Sequence, residues 1–326
     1  MPLKTRTLLR CWMPRLALAN STAMLTLRLC LLASAASALR VTVLGGTGFV
    51  GSRVCKALAT SSSSVEVVSV SRTGAVPEWC KGDDWTKQVS WVKNELTRGS
   101  REKLQEAIGA PDAVVSCVGA IGFGQQALLL GNGIANVEAA AAAKVVGAQR
   151  MAYVSVGSEV DASKGWCVAI RTTPLYTADP VFRLLPRLPG FFGAYFEGKR
   201  TAEEAMASEF GENACIIKPS FIYGGDDFGL LPPRVSGWYG SFIEELLSQA
   251  VFVKGAELLP GLIGVALRPP VNVDAVAAAC VVHALGECSE TELDGTAAIN
   301  AVAALPPARG LTDAIESIKS KLSDES

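Results

Sequence analysis

The stretch Val41–Gly51, which reads VTVLGGTGFVG, joins a short apolar run to three glycines spaced three residues apart. The apolar run predicts a buried strand, and the apolar residues after the glycines recur at helical spacing. Glycine permits a tight turn and close approach to a pyrophosphate, and the N–H groups that begin a helix favour an anion. We therefore predict a dinucleotide site rather than a purely structural turn. Its cofactor-binding residues would be Gly45, Thr47, Gly48, Phe49 and Gly51.

The composition is that of a globular protein with a buried core, since 49% of the 326 residues are hydrophobic and 19% are charged. A net charge of −1 lacks the excess of Lys and Arg that neutralises phosphates, so we expect no nucleic-acid partner. The nine cysteines include no CxxC pair, and His283 is the only histidine, so we predict no metal. Scattered cysteines fit a reducing compartment.

The first forty residues contain no Asp or Glu, and six basic residues are spread among Ser, Thr, Leu and Ala. This composition predicts a targeting presequence over residues 1–39, with the mitochondrion as destination and the plastid as the alternative. A second interpretation begins at Met24, where the sequence resembles a secretory signal, a pattern also used for import into complex plastids. The apolar run there is short and contains Arg28, so we do not predict a membrane span.

The residues after the second predicted strand, Val65–Val70, indicate which dinucleotide binds. An acidic side chain near this strand end would hold the ribose 2′-hydroxyl of NAD, whereas an arginine accommodates the 2′-phosphate of NADP. The sequence has Ser71 and Arg72 here, and a guanidinium binds phosphate with two hydrogen bonds. We predict NADP(H) rather than NAD(H). The alternative is that Arg72 is a solvated loop residue.

Strands and helices alternate along residues 40–300, which predicts an α/β fold with a doubly wound parallel sheet (Rossmann) and a small C-terminal substrate lobe. The lobe would consist mainly of residues 160–196 and 225–270, and residues 301–326 would form a helical tail. Ligand would lie beyond the carboxyl ends of the strands. Cys117 and Gly119 fall at such an end, after the strand predicted over 112–118, and are assigned to the cofactor site.

The segment Trp166–Phe196 is apolar and contains four prolines, which predict that no long helix forms there. We interpret it as packing over the core, with an apolar lid and a membrane-surface patch as alternatives.

Tyr195 and Lys199 follow this segment, and a helix is predicted to open with them and to run through Thr201–Phe210. Residues four apart on a helix share one face. An ammonium near a phenol favours the tyrosinate and lowers its pKa, so the tyrosine could pass a proton to a carbonyl oxygen while hydride arrives from a nicotinamide. Tyr195 and Lys199 are therefore the predicted catalytic pair.

The motifs GGTGFVG, SVSRTG, YFEGKR, KPSFIYGG and PPVNVDAVA together resemble the atypical short-chain dehydrogenase/reductase family over about residues 40–285. More narrowly, they resemble the branch with the nucleotide-binding accessory subunit of respiratory complex I, the mitochondrial factor of coenzyme Q assembly and related plastid proteins. The resemblance implies that the three glycines hold pyrophosphate, Arg72 the 2′-phosphate, and Lys199 the ribose. It also implies cofactor contacts from Glu95, where Asp is usual, and from Pro219.

The resemblance breaks at the catalytic serine, because Gly157 occupies the position where active members commonly carry it. Ser155 and Ser158 flank that position, and Ser155 is the predicted substitute. This departure keeps two functions open. The first is an organellar NADPH-dependent reductase acting on a hydrophobic substrate such as a quinone. The second is a nucleotide-binding accessory or assembly factor at an organellar membrane complex, and a sugar-nucleotide epimerase ranks third.

Overall fold

The computed structural model describes residues 38–61, 64–96, 100–121, 124–158, 188–225, 236–258 and 267–304. Residues 1–37 of the predicted presequence, most of the proline-rich segment and the tail beyond residue 304 lie outside these residues.

A seven-stranded parallel sheet with the order β3-β2-β1-β4-β5-β6-β9 forms the centre of the fold. The first strand of the chain lies inside the sheet, between β2 and β4, and the order reverses beside it, which confirms the predicted doubly wound sheet. The strands are β1 (Leu39–Leu44), β2 (Val65–Ser71), β3 (Val89–Lys93), β4 (Ala113–Ser116), β5 (Arg150–Val154), β6 (Ala214–Lys218) and β9 (Glu292–Asp294).

Both faces of the sheet are covered by apolar side chains, as expected for parallel strands that read as continuous Val- and Ile-rich runs. The register aligns the strand ends that carry the predicted site. Leu44, the last residue of β1, pairs with Val70 of β2 and with Ser116 of β4. The glycine turn and Cys117 therefore leave the sheet at the same edge.

Nine α-helices lie within the described residues. They are α1 (Phe49–Ala59), α2 (Arg101–Ile108), α3 (Gln125–Leu129), α4 (Ala135–Val145), α5 (Leu188–Phe210), α6 (Gly237–Leu247), α7 (Ala250–Leu258), α8 (Val273–Ala284) and α9 (Gly295–Ala303), and a π-helical turn (Leu130–Ile134) joins α3 to α4.

Helix α5 corrects two expectations. The prolines of the apolar segment were expected to prevent a long helix, yet α5 has 23 residues and begins before Pro189. Proline is tolerated in the first turn because its missing N–H has no intrahelical partner there. Tyr195 and Lys199 consequently lie within the helix rather than at its opening. Residues 188–196, which were predicted to be part of the substrate lobe, form the first part of this helix, and the helix packs on α3, α4 and the π-helical turn.

Helices α6 and α7 lie in the range 225–270 that was predicted for the substrate lobe, and a two-stranded parallel sheet of β7 (Ile222–Tyr223) and β8 (Val271–Asn272) flanks this range. Helix α6 contacts both strands. Among the described residues, no helix has the length and apolar character required to cross a bilayer.

Candidate functional site

The glycine turn between β1 and α1 has the geometry expected of a pyrophosphate cradle. Gly45 adopts a φ of 77°, and its carbonyl accepts a 2.8 Å hydrogen bond from the N–H of Gly48. A Cβ on Gly51 would lie 2.2 Å from the Gly45 carbonyl oxygen, so only glycine lets the helix come this close. No side chain caps the start of α1, and its first turn has no acidic residue. These features fit an anionic group at the helix N-terminus.

The end of β4 forms the next wall of the site. The N–H of Cys117 donates to the Leu44 carbonyl over 2.9 Å, and a Cβ on Gly45 would lie 3.1 Å from the Cys117 carbonyl oxygen. A Cβ on Gly119 would lie 3.7 Å from Lys199 Nζ. The structure thus places Cys117 beside the glycine turn and Gly119 beside the predicted catalytic lysine.

Two buried asparagines fix this wall to the π-helical turn. Asn132 bonds the backbone N–H and carbonyl of Ala120, both at 3.0 Å. Asn136 accepts from the Ser116 hydroxyl at 2.6 Å and donates to the Val118 carbonyl at 3.3 Å. Because both amides are fully buried, they support the site instead of forming a polar helix surface.

The ends of β2 and β3 carry the residues predicted to select the nucleotide. The hydroxyl of Ser71 accepts a 3.1 Å hydrogen bond from the N–H of Gly74, so this side chain takes part in the turn itself. Arg72 is exposed directly after β2, and Glu95 is exposed after β3. The N–H of Asn94 donates to the Ser71 carbonyl at 2.9 Å, which keeps the two strand ends together.

Lys199 is buried between the end of β5 and α5. Its Nζ donates to the Val154 carbonyl at 2.9 Å and lies 4.8 Å from the Tyr153 ring centroid and 6.0 Å from that of Tyr195. Burial lowers the pKa of Lys199 to about 8, although the carboxylate of Glu203 opposes this lowering. The Lys199 ammonium therefore loses its proton at about pH 8.

The pKa of Tyr195 differs from the expected one. Burial raises the pKa of its phenol to about 12, which is opposite to the predicted lowering. The lysine ammonium lies against the ring, so its charge does not offset the cost of burying a tyrosinate.

Ser155 and Glu203 form a contact that the sequence analysis missed. The Ser155 hydroxyl donates to the Glu203 carboxylate, whose other oxygen lies 3.2 Å from Lys218 Nζ. Lys218 also binds Glu292 at 2.8 Å and lies 3.5 Å from the Ser158 hydroxyl oxygen. Glu203 comes one helical turn after Lys199, so the sequence indicates that these two side chains share a helix face but not that Glu203 meets Ser155.

Gly157 occupies the position of the expected catalytic serine, although the space around it would also admit a side chain. Its N–H donates to the Pro219 carbonyl at 2.8 Å, and a Cβ there would meet Pro219 and Ser220 at ordinary contact distances of 3.5 Å. Pro219 thus lies beside the end of β5, close to the predicted catalytic residues.

A cavity of about 130 Å³ lies on the β6 side of this cluster. It is lined by Val156, Ser158, Phe196, Lys199, Arg200, Glu203 and Lys218. The arrangement joins a cradle for a dinucleotide to a cluster of ionisable groups at the same sheet edge.

Comparison with known proteins identifies the family. The model of the NAD dependent epimerase/dehydratase family matches residues 41–291. An uncharacterized chloroplastic protein of Arabidopsis thaliana is 33% identical over 245 residues, which cover 74% of this chain and 70% of that protein.

Two solved epimerases are similar in fold alone. The UDP-Glc/GlcNAc 4-epimerase of Campylobacter jejuni is 13% identical, with a TM-score of 0.50 over 81% of this chain and 82% of that one. The ADP-L-glycero-D-manno-heptose-6-epimerase of Helicobacter pylori is 14% identical, with a TM-score of 0.51 over 79% and 77% of the two chains. The family model, the relative and the Rossmann-type sheet lead to one conclusion: the chain belongs to the NAD dependent epimerase/dehydratase family, within the extended short-chain dehydrogenases/reductases.

Proposed function

We propose that the protein is an organellar NADP(H)-dependent reductase that acts on a hydrophobic carbonyl substrate such as a quinone. The observation that carries the proposal is the position of Lys199, which is buried beside Gly119 and against the ring of Tyr195. A bound nicotinamide cofactor supplies or accepts hydride. Lys199 would donate to the ribose hydroxyls, and the Tyr195 hydroxyl would give a proton to the substrate oxygen.

The preference for NADP(H) is supported by Arg72, which is exposed directly after β2, and by the lack of an acidic residue at that strand end. Arg72→Ala should weaken NADPH binding roughly 10-fold or more and leave NADH binding almost unchanged, because a charge-assisted bond to the 2′-phosphate contributes about 1.5–3 kcal/mol. Fluorescence titration of both nucleotides measures this. Lys87→Ala is the control, because it removes an exposed cation paired with Asp84 in a 3₁₀ turn before β3. An equal loss for both nucleotides would contradict the assignment of Arg72.

A hydrophobic substrate is supported by two phenylalanines next to and within the predicted lobe, since Phe221 and Phe242 are exposed by 52% and 58%. Apolar surface of this kind suits a prenylated quinone or a peripheral contact with an organellar membrane. The Arabidopsis relative is described as chloroplastic, which favours the plastid over the mitochondrion as the compartment.

Tyr195→Phe tests the proposed reaction. The substitution removes the phenolic proton and keeps the ring, so NADPH should still bind while its oxidation with a quinone falls roughly 100-fold or more. NADPH absorbance is followed with a panel of quinones, and NADPH titration of the same variant shows whether the nucleotide site is intact. Equal turnover by wild type and Tyr195→Phe would overturn the role of Tyr195.

A nucleotide-binding accessory factor is the second candidate. Two observations favour it, namely Gly157 at the serine position and the pKa of about 12 for Tyr195, which makes this phenol hard to ionise. Such a protein would bind NADPH and a membrane complex, of the respiratory complex I type, without consuming the nucleotide. Recovery of the protein with a membrane complex only when NADPH is present, combined with no oxidation of NADPH, would support this candidate.

A further inference from the structure

The carboxylate of Glu203 lies at the centre of a chain of polar contacts that runs from the last strand of the sheet to the predicted catalytic groups. Glu292 of β9 binds Lys218 of β6, Lys218 binds Glu203, and Glu203 accepts from the Ser155 hydroxyl. Lys218 retains only 11% of its side-chain exposure and Glu203 only 19%. A largely buried ion pair with a further hydrogen bond has one preferred geometry, so the position of the Glu203 carboxylate is fixed.

Each group in this series of polar contacts has a partner of the opposite charge or a hydrogen-bond donor. Burial works against the charge of Lys218, but the carboxylates of Glu292 and Glu203 outweigh it, so the pKa of Lys218 lies above its usual value. Lys218 therefore stays charged and neutralises one of the two carboxylates. The remaining negative charge is available to a neighbouring cation.

The neighbouring cation is Lys199, which precedes Glu203 by one turn of the same helix. Lys199 Nζ has the Val154 carbonyl as its hydrogen-bond acceptor and two aromatic rings beside it. The ionisable groups around it come from the end of β4, from β5, from α5 and, behind Glu203, from β6. They are Cys117, Tyr153, Tyr195, Arg200, Glu203 and Lys218. Of these, Glu203 is the carboxylate.

We propose that Glu203 is a positioning residue of the nucleotide site, whose carboxylate keeps Lys199 charged and holds the Ser155 hydroxyl in one orientation. This inference rests on the proposed function, in which the charged Lys199 binds the cofactor ribose. In this role Glu203 acts through Lys199 and Ser155 rather than on a ligand. Through Lys199, Glu203 sets the pH range over which the site binds the nucleotide.

The test is the pH dependence of NADPH binding, measured by fluorescence titration between pH 6 and 10 on the full-length protein. Wild-type affinity should fall as the pH rises through about 8, where Lys199 loses its proton. In Glu203→Gln the midpoint of this fall should move down by about one pH unit, since a nearby opposite charge shifts a pKa by this order. Glu203→Asp keeps the charge and should restore most of the wild-type midpoint. Glu204→Gln removes an exposed carboxylate from the same helix and should leave the midpoint unchanged.

A second measurement needs no nucleotide. The pKa of Lys199 is lower in the folded protein than in the unfolded chain, so the free energy of unfolding should rise as the pH increases from about 8 toward 10.5. In Glu203→Gln this rise should begin at a lower pH. If wild type binds no NADPH but this shift occurs, the proposed function fails and the role of Glu203 stands. If Glu203→Gln and wild type share the same pH dependence in both measurements, the inference is overturned.

Discussion

Lys199→Met is expected to weaken NADPH binding roughly 10- to 100-fold, the equivalent of about 1.5–3 kcal/mol for a lost charge-assisted hydrogen bond. The free energy of unfolding should not fall together with the affinity. Because burial lowers the pKa of Lys199 from 10.5 to about 8, the charged amine costs the folded state about 3 kcal/mol at pH 7. Methionine removes this cost, and the Val154 carbonyl loses its partner in exchange, which costs about 1–3 kcal/mol. Stability at pH 7 should therefore be unchanged or slightly higher.

Urea unfolding and NADPH titration on the same samples measure this prediction. The rise in wild-type stability between about pH 8 and 10.5 should also be missing from Lys199→Met. Lys103→Met is the matched control, since Lys103 is exposed on α2 and surface substitutions usually change stability by less than about 0.5 kcal/mol. A Lys199→Met protein that unfolds more easily and binds NADPH normally would show that this lysine has only a structural role.

Gly51→Ala is expected to remove saturable NADPH binding at concentrations that saturate the wild type. Its Cβ would lie 2.2 Å from the Gly45 carbonyl oxygen and 2.9 Å from the Gly46 Cα, and both are backbone atoms. Either α1 or the turn must move, and the N–H groups that face the pyrophosphate move with it. Overpacking of this kind costs about 1–3 kcal/mol, so the protein should remain folded and allow the binding measurement.

Gly255→Ala is the control for this substitution. Gly255 lies within α7, and among the described residues an added Cβ meets only Leu267, at 3.9 Å. Alanine should be neutral or stabilise the helix by up to about 1 kcal/mol. Normal NADPH affinity in Gly51→Ala would mean that the nucleotide does not use this turn.

The elements that could be predicted from the sequence are those with a long local pattern. The sequence predicts a helix over Arg101–Ile108 and a strand over Ala214–Lys218, and these are the bounds of α2 and β6. The glycine turn also has the predicted form, because apolar periodicity and φ-specific residues are local properties. The two-residue strands β7 and β8 show no periodicity and depend on pairing across the chain. The predicted start of α5 was wrong because proline is excluded from helix interiors but is tolerated in a first turn.

The parts of the site that could be predicted are those in which a single residue type indicates the chemistry. The parts that depend on contacts between distant residues could not be predicted. The contact between Ser155 and Glu203 joins residues 48 positions apart, and no local pattern indicates it. The pKa of Tyr195 was predicted in the wrong direction because spacing placed Lys199 on the same helix face without showing how deeply the phenol is buried. The branch of the family and the quinone substrate stay predictions, and the chloroplastic relative favours the plastid over the predicted mitochondrion.

The most direct test of the account is thermal unfolding of the wild-type protein with increasing NADPH and NADH. The account predicts that NADPH raises the unfolding temperature in a saturable way and at lower concentrations than NADH, since a ligand at 100 times its Kd stabilises by about 2.7 kcal/mol. An unfolding temperature that neither nucleotide changes would contradict the central claim that the glycine turn binds a nicotinamide dinucleotide.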